Sequence, residues 1–416
     1  MKILVIGHSS YDISCPVDEY PVENTKYRLT ENAMCGGGPA GNAAYLLGKW
    51  GVDTYYAGVV GSDDYGTKIK KEFESVGVHT DYLETNYEKP TSVSFIMINK
   101  KNGSRTLFNI AGERPSMKKY DFNMDPDVIL IDGHEYTASM NAINKYPNAI
   151  SIIDAGRITP ELTELCKYCK YIVTSKGFAE TQTKMKFDFS NPNTLVQIYT
   201  QLKNKYPKSE VVITLEDKGA LYAVNNEIKI MPGLKVTPVD TTGAGDIFHG
   251  AFTYAIAKGY DIEKAVRYAN ITAGLSVQKL GARFSIPTLV EVTNYYNEKF
   301  PGAVQQQPPV NSQINVAPQT PSDVQSNIQT NVQNTQNVSV ETQNMPSANQ
   351  NVYTETPATP QIMSEPVPQV NTVQPESASN IPYPNQTYAQ TNAMNYQQAM
   401  QAQMNNNFDN NGNLNA

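Results

Sequence analysis

The sequence predicts an α/β fold with a doubly wound, mostly parallel sheet, helices on both faces of the sheet and a small β-sheet lid. Four apolar segments rich in β-branched residues are separated from one another by stretches of helix length. Strands that are apolar throughout and alternate with helices indicate βαβ units in a sheet covered on both sides. A further apolar run, residues 3–6, begins the chain and ends at Gly7. The internal segments are 127–132, 149–154, 171–175 and 210–215.

Segments near the start of the chain, roughly 12–35 and 91–111, do not follow this alternation. Residues 91–100 and 105–112 are strand-like runs joined by 101–104, which contains the Asn-Gly pair typical of hairpin turns. We expect these segments to form a lid that excludes water from a ligand at the carboxyl ends of the parallel strands. Because exposed strand edges tend to be covered, a homodimer through the lid is also expected.

Helices are expected where apolar residues recur every three or four positions. The glycine-rich turn 36–38 leads into a helix that ends at Gly51. A second helix, 63–77, places Ile69 and Phe73 four residues apart on one face. The remaining predicted helices span 243–259, 261–281 and 289–300.

The composition changes at the end of the last helix, which predicts a folded domain over 1–300 and a tail over 301–416. The tail is rich in Gln, Asn, Pro, Ser and Thr and contains no Lys, Arg, His, Cys or Trp. Its apolar content is too low to offset the entropy cost of ordering, so we expect it to be disordered. Its partners, if it has any, cannot be read from the sequence.

Charge and hydropathy exclude several functional classes. The net charge is −7, and six acidic residues lie in the tail, so the predicted domain is close to neutral and unsuited to general nucleic-acid binding. The first apolar run is too short for a signal peptide, and no run reaches membrane-spanning length. A soluble, cytoplasmic protein is therefore expected.

Cys166 and Cys169 have metal-ligand spacing, but without a second Cys or His pair they are interpreted as ordinary thiols.

The segment 240–246, Asp-Thr-Thr-Gly-Ala-Gly-Asp, carries the clearest chemical signal. The small residues Gly243, Ala244 and Gly245 would let backbone N–H groups converge at the start of a helix as an anion hole. Asp246 lies in the same turn, where it could accept the proton of a hydroxyl that attacks a phosphoryl group. We expect the helix N-terminus to keep the pKa of Asp246 low. The alternative is a tight turn with Asp246 as a simple helix cap.

A second glycine-rich segment, 36–42, also precedes a helix. Gly37 and Gly38 would allow a ligand to approach the backbone closely, and Asn42 can both donate to and accept from hydroxyl groups. Asp12, soon after the first strand, could hold two sugar hydroxyls. Neither a P-loop nor a dinucleotide-binding fingerprint is present.

Taken together, these motifs resemble the ribokinase-like, or PfkB-type, carbohydrate kinase family over residues 1 to about 298. The resemblance implies ATP-dependent phosphorylation of a sugar hydroxyl, with Mg²⁺ accompanying ATP. It assigns Asp246 as the base, Gly243, Ala244 and Gly245 as the anion hole, and Asp12, Gly37, Gly38 and Asn42 as sugar ligands. It places the nucleotide over Thr214, Gly219, Asn270 and Gly281. It implies a potassium site at Asp240, Thr242, Ser276, Lys279, Gly281 and Ser285. The motifs that carry it are 7–12, 36–44, 60–66, 240–251 and 280–287.

Departures from the family pattern restrict the expected class of substrate. Residues 175–178 replace an Asn-x-x-Glu motif that assists the metal and phosphates, and the nearest acid is Glu180. Ser10 replaces an Asn common in pentose kinases. These features look nearer to the ketohexokinase and sulfofructose kinase branches than to ribokinase, and they favour a ketose or related sugar. His134 stands where sulfofructose kinases have an Arg, which argues against a sulfonated substrate and leaves substrate contact and a structural role open.

Two arginines lie in or just past the lid hairpin, where they could contact a substrate. Arg105 and Arg114 would meet a substrate phosphate if the acceptor were a phosphosugar, and otherwise they are surface charges. The alternatives to a sugar kinase are a nucleoside kinase of the same fold and a non-catalytic family member that serves as an interaction protein.

Overall fold

The computed structural model describes residues 1–110 and 115–301. These residues contain thirteen strands, and the strands from β8 to β11 alternate with helices along the chain. The strands are β1 (Lys2–Ile6), β2 (Ser10–Val17), β3 (Ala33–Gly37), β4 (Asp53–Gly61), β5 (His79–Asn86), β6 (Val93–Asn99), β7 (Arg105–Ile110), β8 (Val128–Ile131), β9 (Ile150–Ala155), β10 (Tyr171–Ser175), β11 (Glu210–Thr214), β12 (Ala220–Val224) and β13 (Glu227–Met231).

The helices of the described residues begin where the sequence places capping residues or small residues. Thr288, for example, forms a capping box with Glu291 at the start of the last helix. None of these helices combines the length and apolar character needed to cross a membrane. They are α1 (Pro39–Lys49), α2 (Asp64–Ser75), α3 (Tyr136–Lys145), α4 (Pro160–Leu165), α5 (Lys176–Thr183), α6 (Pro192–Lys205), α7 (Ala244–Ala257), α8 (Ile262–Ser276), α9 (Ala282–Ser285) and α10 (Leu289–Lys299).

The central sheet contains nine strands in the order β13-β12-β11-β10-β9-β8-β1-β4-β5. All neighbours from β11 to β5 are parallel, and only β12 and β13 run antiparallel to their neighbours. Successive residues of β1 enter opposite cores: Ile3 and Val5 pack into one, Leu4 and Ile6 into the other. This alternation follows from the two-residue repeat of a strand. The predicted α/β fold with a doubly wound, mostly parallel sheet is confirmed.

A separate sheet of four strands forms the lid, in the order β3-β2-β6-β7. Strand β2 is antiparallel to β3 and parallel to β6, and β6 is antiparallel to β7. A small second sheet was predicted from 12–35 and 91–111, and the described strands fall within or beside those segments. One detail was wrong: Gly36 and Gly37 belong to β3 rather than to a turn, and the turn is made at Gly38, whose φ is 84°.

A hairpin at the edge of the central sheet was not among the predictions. Strand β13 ends at Met231 and pairs with β12. Asn225 and Asn226 make the turn with φ values of 51° and 64°. Asparagine tolerates this left-handed region better than most residues, which explains an Asn-Asn pair here.

The predicted tail, apart from Pro301, lies outside the described residues, as does Arg114. The boundary between domain and tail therefore stays a prediction.

Candidate active site

Asn42 and Asp246, from the two glycine-rich motifs, meet at the same edge of the central sheet. Asn42 Nδ2 donates a hydrogen bond of 2.8 Å to Asp246 Oδ2. The side chain of Asn42 is buried, and its Oδ1 accepts no hydrogen bond from the described residues. A buried amide oxygen without a donor is costly unless another group supplies one. The geometry therefore leaves an acceptor beside Asp246 for a ligand hydroxyl.

The start of α7 has the shape expected of an anion hole. Gly243 is the N-cap residue with a φ of 74°, and a Cβ there would lie 2.8 Å from the Cβ of Ala282. Gly245 is exposed, and a Cβ on it would meet nothing within 4 Å. Ala244 begins the helix, whose first N–H groups have no partners within the helix. The N–H of Ala244 donates to Thr241 O over 3.3 Å, and the open space at Gly245 leaves room for a phosphate group beside the remaining N–H groups.

The pKa of Asp246 differs from the prediction. Burial, reinforced by the negative charge of Asp154, raises this pKa from 3.8 to about 7. The Asn42 hydrogen bond and the positive charges of His249 and Arg105 oppose the rise. The expectation of a low pKa was wrong, because burial and the negative charge of Asp154 raise it. A carboxyl group of this kind is suited to accept a proton near neutral pH.

Asp12 and Gly37 lie side by side in the neighbouring strands β2 and β3. A Cβ on residue 37 would collide with the Asp12 carboxylate, so glycine here leaves the carboxylate in its present position. Ser10 Oγ donates to Asp12 Oδ1 over 2.9 Å and orients it. Burial raises the pKa of Asp12, while hydrogen bonds from Ser10 and Ser94 oppose the rise. The chain also approaches closely at Gly38, where a Cβ would lie 2.6 Å from the carbonyl oxygen of His8.

The tip of the lid contacts the anion-hole segment through Thr241. Thr241 Oγ1 donates to the carbonyl of Gly103 over 2.9 Å, and its N–H reaches the same oxygen at 3.1 Å. Arg105 Nη1 donates to Thr241 Oγ1 over 3.0 Å. Arg105 therefore reaches the edge of the site, whereas the sequence left a surface role open.

The residues of the predicted potassium site lie on two loops that are bonded to each other. Asp240 accepts from Thr242 N through one oxygen and from Gly281 N through the other, both over 2.8 Å. Thr242 Oγ1 is buried and has no hydrogen-bond partner among the described residues. The hydroxyl groups of Ser276 and Ser285 donate to carbonyls within their own turns. Lys279 lies in the same loop, where its N–H donates to Ser276 O.

Three of the four residues predicted to bind the nucleotide lie around the end of β13 and the loop after β11. A Cβ on Gly219 would collide with the carbonyl of Met231, and Asn270 Nδ2 donates to the same carbonyl over 3.1 Å. Thr214 ends β11 and donates to Thr174 O. Gly281, with a φ of 83°, is the N-cap residue of α9. Gly219 and Asn270 are thus brought together.

Other residues singled out in the sequence are held by neighbours. Glu180 accepts from Lys186 Nζ over 2.7 Å and from Phe187 N over 3.1 Å, so it is tied to its own loop. His134 Nδ1 lies 3.1 Å from Asp132 Oδ1, and its ring is 4.8 Å from that of His8. Although burial favours a neutral carboxyl, His134 and backbone N–H groups hold the pKa of Asp132 well below its usual range. The four cysteines are buried free thiols.

An ion pair between a buried arginine and Glu72, beneath the glycine-rich segment, was not predicted from the sequence. Arg283 is 1% exposed, and its Nη1 donates to Glu72 Oε2 over 2.8 Å. Glu72 in turn accepts from Gly36 N. A Cβ on Gly36 would collide with the guanidinium group, so the glycine and the arginine require each other. Arg283 lies in a segment that carried the family resemblance, but nothing local distinguishes a buried arginine from an exposed one.

The chain matches a described protein family over most of the described residues. Residues 1–289 match the pfkB family carbohydrate kinase profile. The chain is 28% identical over 306 residues to ribokinase of Bacillus subtilis, which covers 70% of this chain and 98% of that protein. It is 24% identical over 293 residues to a nucleoside kinase of Methanocaldococcus jannaschii, which covers 69% and 94%.

Solved structures share the fold. The structure of Arabidopsis thaliana ribokinase complexed with ribose and ATP superposes with a TM-score of 0.58 at 23% identity, covering 70% of this chain and 97% of that one. The relatives include ribokinases, so the predicted nearness to the ketohexokinase and sulfofructose kinase branches is not confirmed.

Proposed function

The chain belongs to the pfkB family of carbohydrate kinases, and we propose that it transfers the γ-phosphoryl group of ATP to a sugar hydroxyl, with Asp246 as the general base. The observation that carries this proposal is the 2.8 Å hydrogen bond from Asn42 to Asp246. It joins a carboxylate beside an anion hole to an amide whose oxygen has no donor among the described residues. A base and an acceptor at hydrogen-bonding distance from each other suit two neighbouring hydroxyls of one sugar.

In the proposed reaction, the sugar hydroxyl gives its proton to Asp246 while its oxygen forms a bond to the γ-phosphorus. The bond from that phosphorus to the oxygen it shares with the β-phosphate breaks, and ADP leaves with that oxygen. Backbone N–H groups of Gly243, Ala244 and Gly245 stabilise the negative charge that collects on the transferred group. Asp12, Gly37, Gly38 and Asn42 hold the sugar in position for this attack.

Ribokinase-family enzymes use ATP with Mg²⁺, and a bound magnesium ion neutralises charge on the phosphates. Among the described residues, no group of three or more His, Cys, Asp or Glu side chains is arranged to hold a metal ion. Mg²⁺ is usually held by substrate phosphates and water with one or two carboxylates, so it does not require such a group. We propose that the nucleotide lies over Thr214, Gly219, Asn270 and Gly281.

Among carbohydrates, we propose a ketose or a related sugar. Ser10 replaces an Asn common in pentose kinases, and residues 175–178 replace the Asn-x-x-Glu motif of many family members, which supports this choice. Ribose and nucleosides are the competing substrates, since the relatives include ribokinases and a nucleoside kinase. The test is ADP formation by the full chain with a panel of ketoses, ribose, nucleosides and phosphorylated sugars. Preference for ribose or a nucleoside would overturn the ketose assignment, and no turnover of any compound would overturn the kinase assignment.

A potassium ion beside the anion hole is proposed at Asp240, Thr242, Ser276, Lys279, Gly281 and Ser285. The buried, unpartnered Thr242 Oγ1 supports it, because such an oxygen is a ready cation ligand. Turnover should be several-fold faster in potassium chloride than in an equal concentration of a tetraalkylammonium chloride. Equal rates in the two salts would remove this site from the proposal.

We also propose a homodimer through the lid. Every residue of β7 is exposed, including Leu107, Phe108 and Ile110, and this strand is an edge of the lid sheet. An exposed apolar edge strand favours pairing with another chain. Sedimentation of the full chain should give a dimer that Phe108→Lys weakens.

A cytoplasmic location and the partners of the tail stay predictions.

A further inference from the structure

His249 lies three residues after Asp246 in α7, and its ring is buried among oxygen acceptors. Its Nδ1 is 2.5 Å from the carbonyl oxygen of Gly245 and 3.3 Å from Asp154 Oδ2. Its Nε2 is 3.1 Å from the carbonyl oxygen of Val173. The ring is 4% exposed and Asp154 is 8% exposed. The imidazole therefore links the first turn of α7 to β9 and β10.

Both ring nitrogens of His249 face backbone carbonyls, which only accept hydrogen bonds. A neutral imidazole carries a proton on one nitrogen, so either tautomer would point a lone pair at a carbonyl oxygen. Protonation of Asp154 would not remove this repulsion, because Nδ1 would still face the carbonyl oxygen of Gly245. A ring protonated on both nitrogens donates at both ends and gains the negative charge of Asp154. The contacts thus select an imidazolium paired with a carboxylate.

The contact with Gly245 reaches the anion hole through one peptide unit. The carbonyl of Gly245 and the N–H of Asp246 are the two ends of the same peptide group. In a helix, the carbonyl points toward the C-terminus and the N–H toward the N-terminus. A charged donor on the carbonyl therefore fixes this peptide plane and polarises the N–H of Asp246, which lies in the first turn of α7.

We propose that His249 and Asp154 form a charged pair that positions the first turn of α7 and sets the protonation of Asp246. This inference rests on the proposed role of Asp246 as the base. His249 and Asp154 act through Asp246 and Gly245, so they are positioning residues rather than catalytic ones.

The groups that face Asp246 come from four elements. Asp154 on β9 disfavours its ionised form, while Asn42 on α1, His249 on α7 and Arg105 on β7 favour it. Burial raises the pKa of Asp154, with Asp132 adding to the rise and His249 and His134 opposing it.

If His249 and Asp154 form a charged pair, replacing each residue should shift the pH profile of kcat/KM in opposite directions. His249→Gln removes the positive charge and leaves Asp154, so the acid limb of kcat/KM should move to higher pH by about 0.5–1 unit. Asp154→Asn removes the negative charge, so the limb should move to lower pH by a similar amount, about 0.5–1 unit. The double variant should lie near the wild type. A purely structural role would lower turnover in both single variants without opposite shifts.

The experiment measures kcat/KM from pH 5.5 to 9 with the full chain and its best substrate from the panel. Thr253→Val is the matched control, because Thr253 is equally buried in α7 one turn further from Asp246. Opposite shifts with an unmoved control would support the pair. Shifts in the same direction, or none, in variants that still turn over would overturn it. Full activity in Asp246→Asn would refute Asp246 as the base, whereas the His249 and Asp154 variants test the charged pair. The two hypotheses can therefore be refuted separately.

A second measurement does not need activity. Nitrogen-15 NMR of the four histidine rings, with the His249→Gln spectrum as the assignment, reports protonation directly. At pH 7 the His249 ring should carry a proton on both nitrogens in the wild type, because each nitrogen faces a carbonyl oxygen. A singly protonated ring in the folded wild type at pH 7 would overturn the proposal.

Discussion

Asn42 and Asp246 are 204 residues apart in the sequence, and a hydrogen bond of 2.8 Å joins their side chains. The bond is possible because α1 and α7 pack against each other, with the backbone at Gly250 so close that a Cβ there would lie 3.1 Å from Ala43 Cα. Two glycine motifs therefore act as one site, and Asp246 is held by a neutral donor rather than by a cation.

Asp246→Asn should lower kcat by about 10²- to 10⁴-fold, the usual contribution of a general base. The amide keeps the size of the side chain but cannot accept the hydroxyl proton. Sugar binding, measured by calorimetry, should change only a few-fold, since Asp12, Gly37 and Gly38 are untouched. Asp121→Asn, at a surface position, is the control and should keep full turnover. Unchanged turnover in Asp246→Asn would refute the assigned base.

The pH profile should report the raised pKa of Asp246. Because the base must be ionised, kcat/KM should rise with pH through about 7 and level off near pH 8. Stopped-time assays of ADP formation between pH 5.5 and 9 would measure this limb. A profile already flat from pH 5.5 upward would mean that Asp246 ionises at its ordinary pKa.

The same pKa makes a prediction about stability. A carboxyl group whose pKa is raised in the folded state destabilises the fold where it is ionised, so this penalty grows as pH rises from about 4 to about 7. Asp246→Asn should therefore raise the free energy of unfolding at pH 8 by about 1–2 kcal/mol, a value reduced for partial solvent screening. Near pH 4 the variant and wild type should be equal. Urea titrations at both pH values would measure the difference, and a gain of the same size at pH 4 would point to a cause other than charge.

Local patterns in the sequence were sufficient to predict strands β1, β6, β7 and β8 to β11, and to single out the two glycine motifs and Asp246 as candidates. Each leaves a signal within a few residues: a β-branched run, or small residues just before a helix. The pKa of Asp246 could not be predicted in this way, because Asp154 and Arg105 reach it from β9 and β7. The charged state of His249 likewise depends on acceptors from three elements.

The missed hairpin and the missed ion pair have different causes. The Asn225-Asn226 turn was present in the sequence, but it is a weaker signal than the Asn-Gly pair that identified the lid hairpin. The burial of Arg283 requires Glu72 on α2 and space beneath Gly36, and neither is visible from the neighbours of Arg283 in the sequence.

Arg105→Ala should slow the reaction, because Arg105 both bonds Thr241 and favours the ionised form of Asp246. Loss of a charged hydrogen bond predicts a fall in kcat of about 10- to 100-fold, with the acid limb of the pH profile moved upward. Thr241→Val should lower kcat through the same loss of lid contact, but it should leave the acid limb of the pH profile unchanged. Arg28→Ala, at an exposed position, is the matched control. Full activity in Arg105→Ala would return Arg105 to the surface role that the sequence left open.

A chain that ends at Pro301 should keep full kinase activity and the thermal stability of the whole protein. Phe300 closes the last helix: its N–H donates to Tyr296 O over 2.9 Å, and the guanidinium carbon of Arg267 lies 4.2 Å from the centre of its ring. Tyr296 is 3% exposed and packs on Tyr268. A chain that ends at residue 295 loses these contacts and should be destabilised by about 3–5 kcal/mol, as for removal of a large buried aromatic side chain. Calorimetry and ADP formation would be compared for the two truncations. A chain ending at Pro301 that is folded but inactive would show that residues 302–416 take part in catalysis, which the contacts around Asp246 do not require.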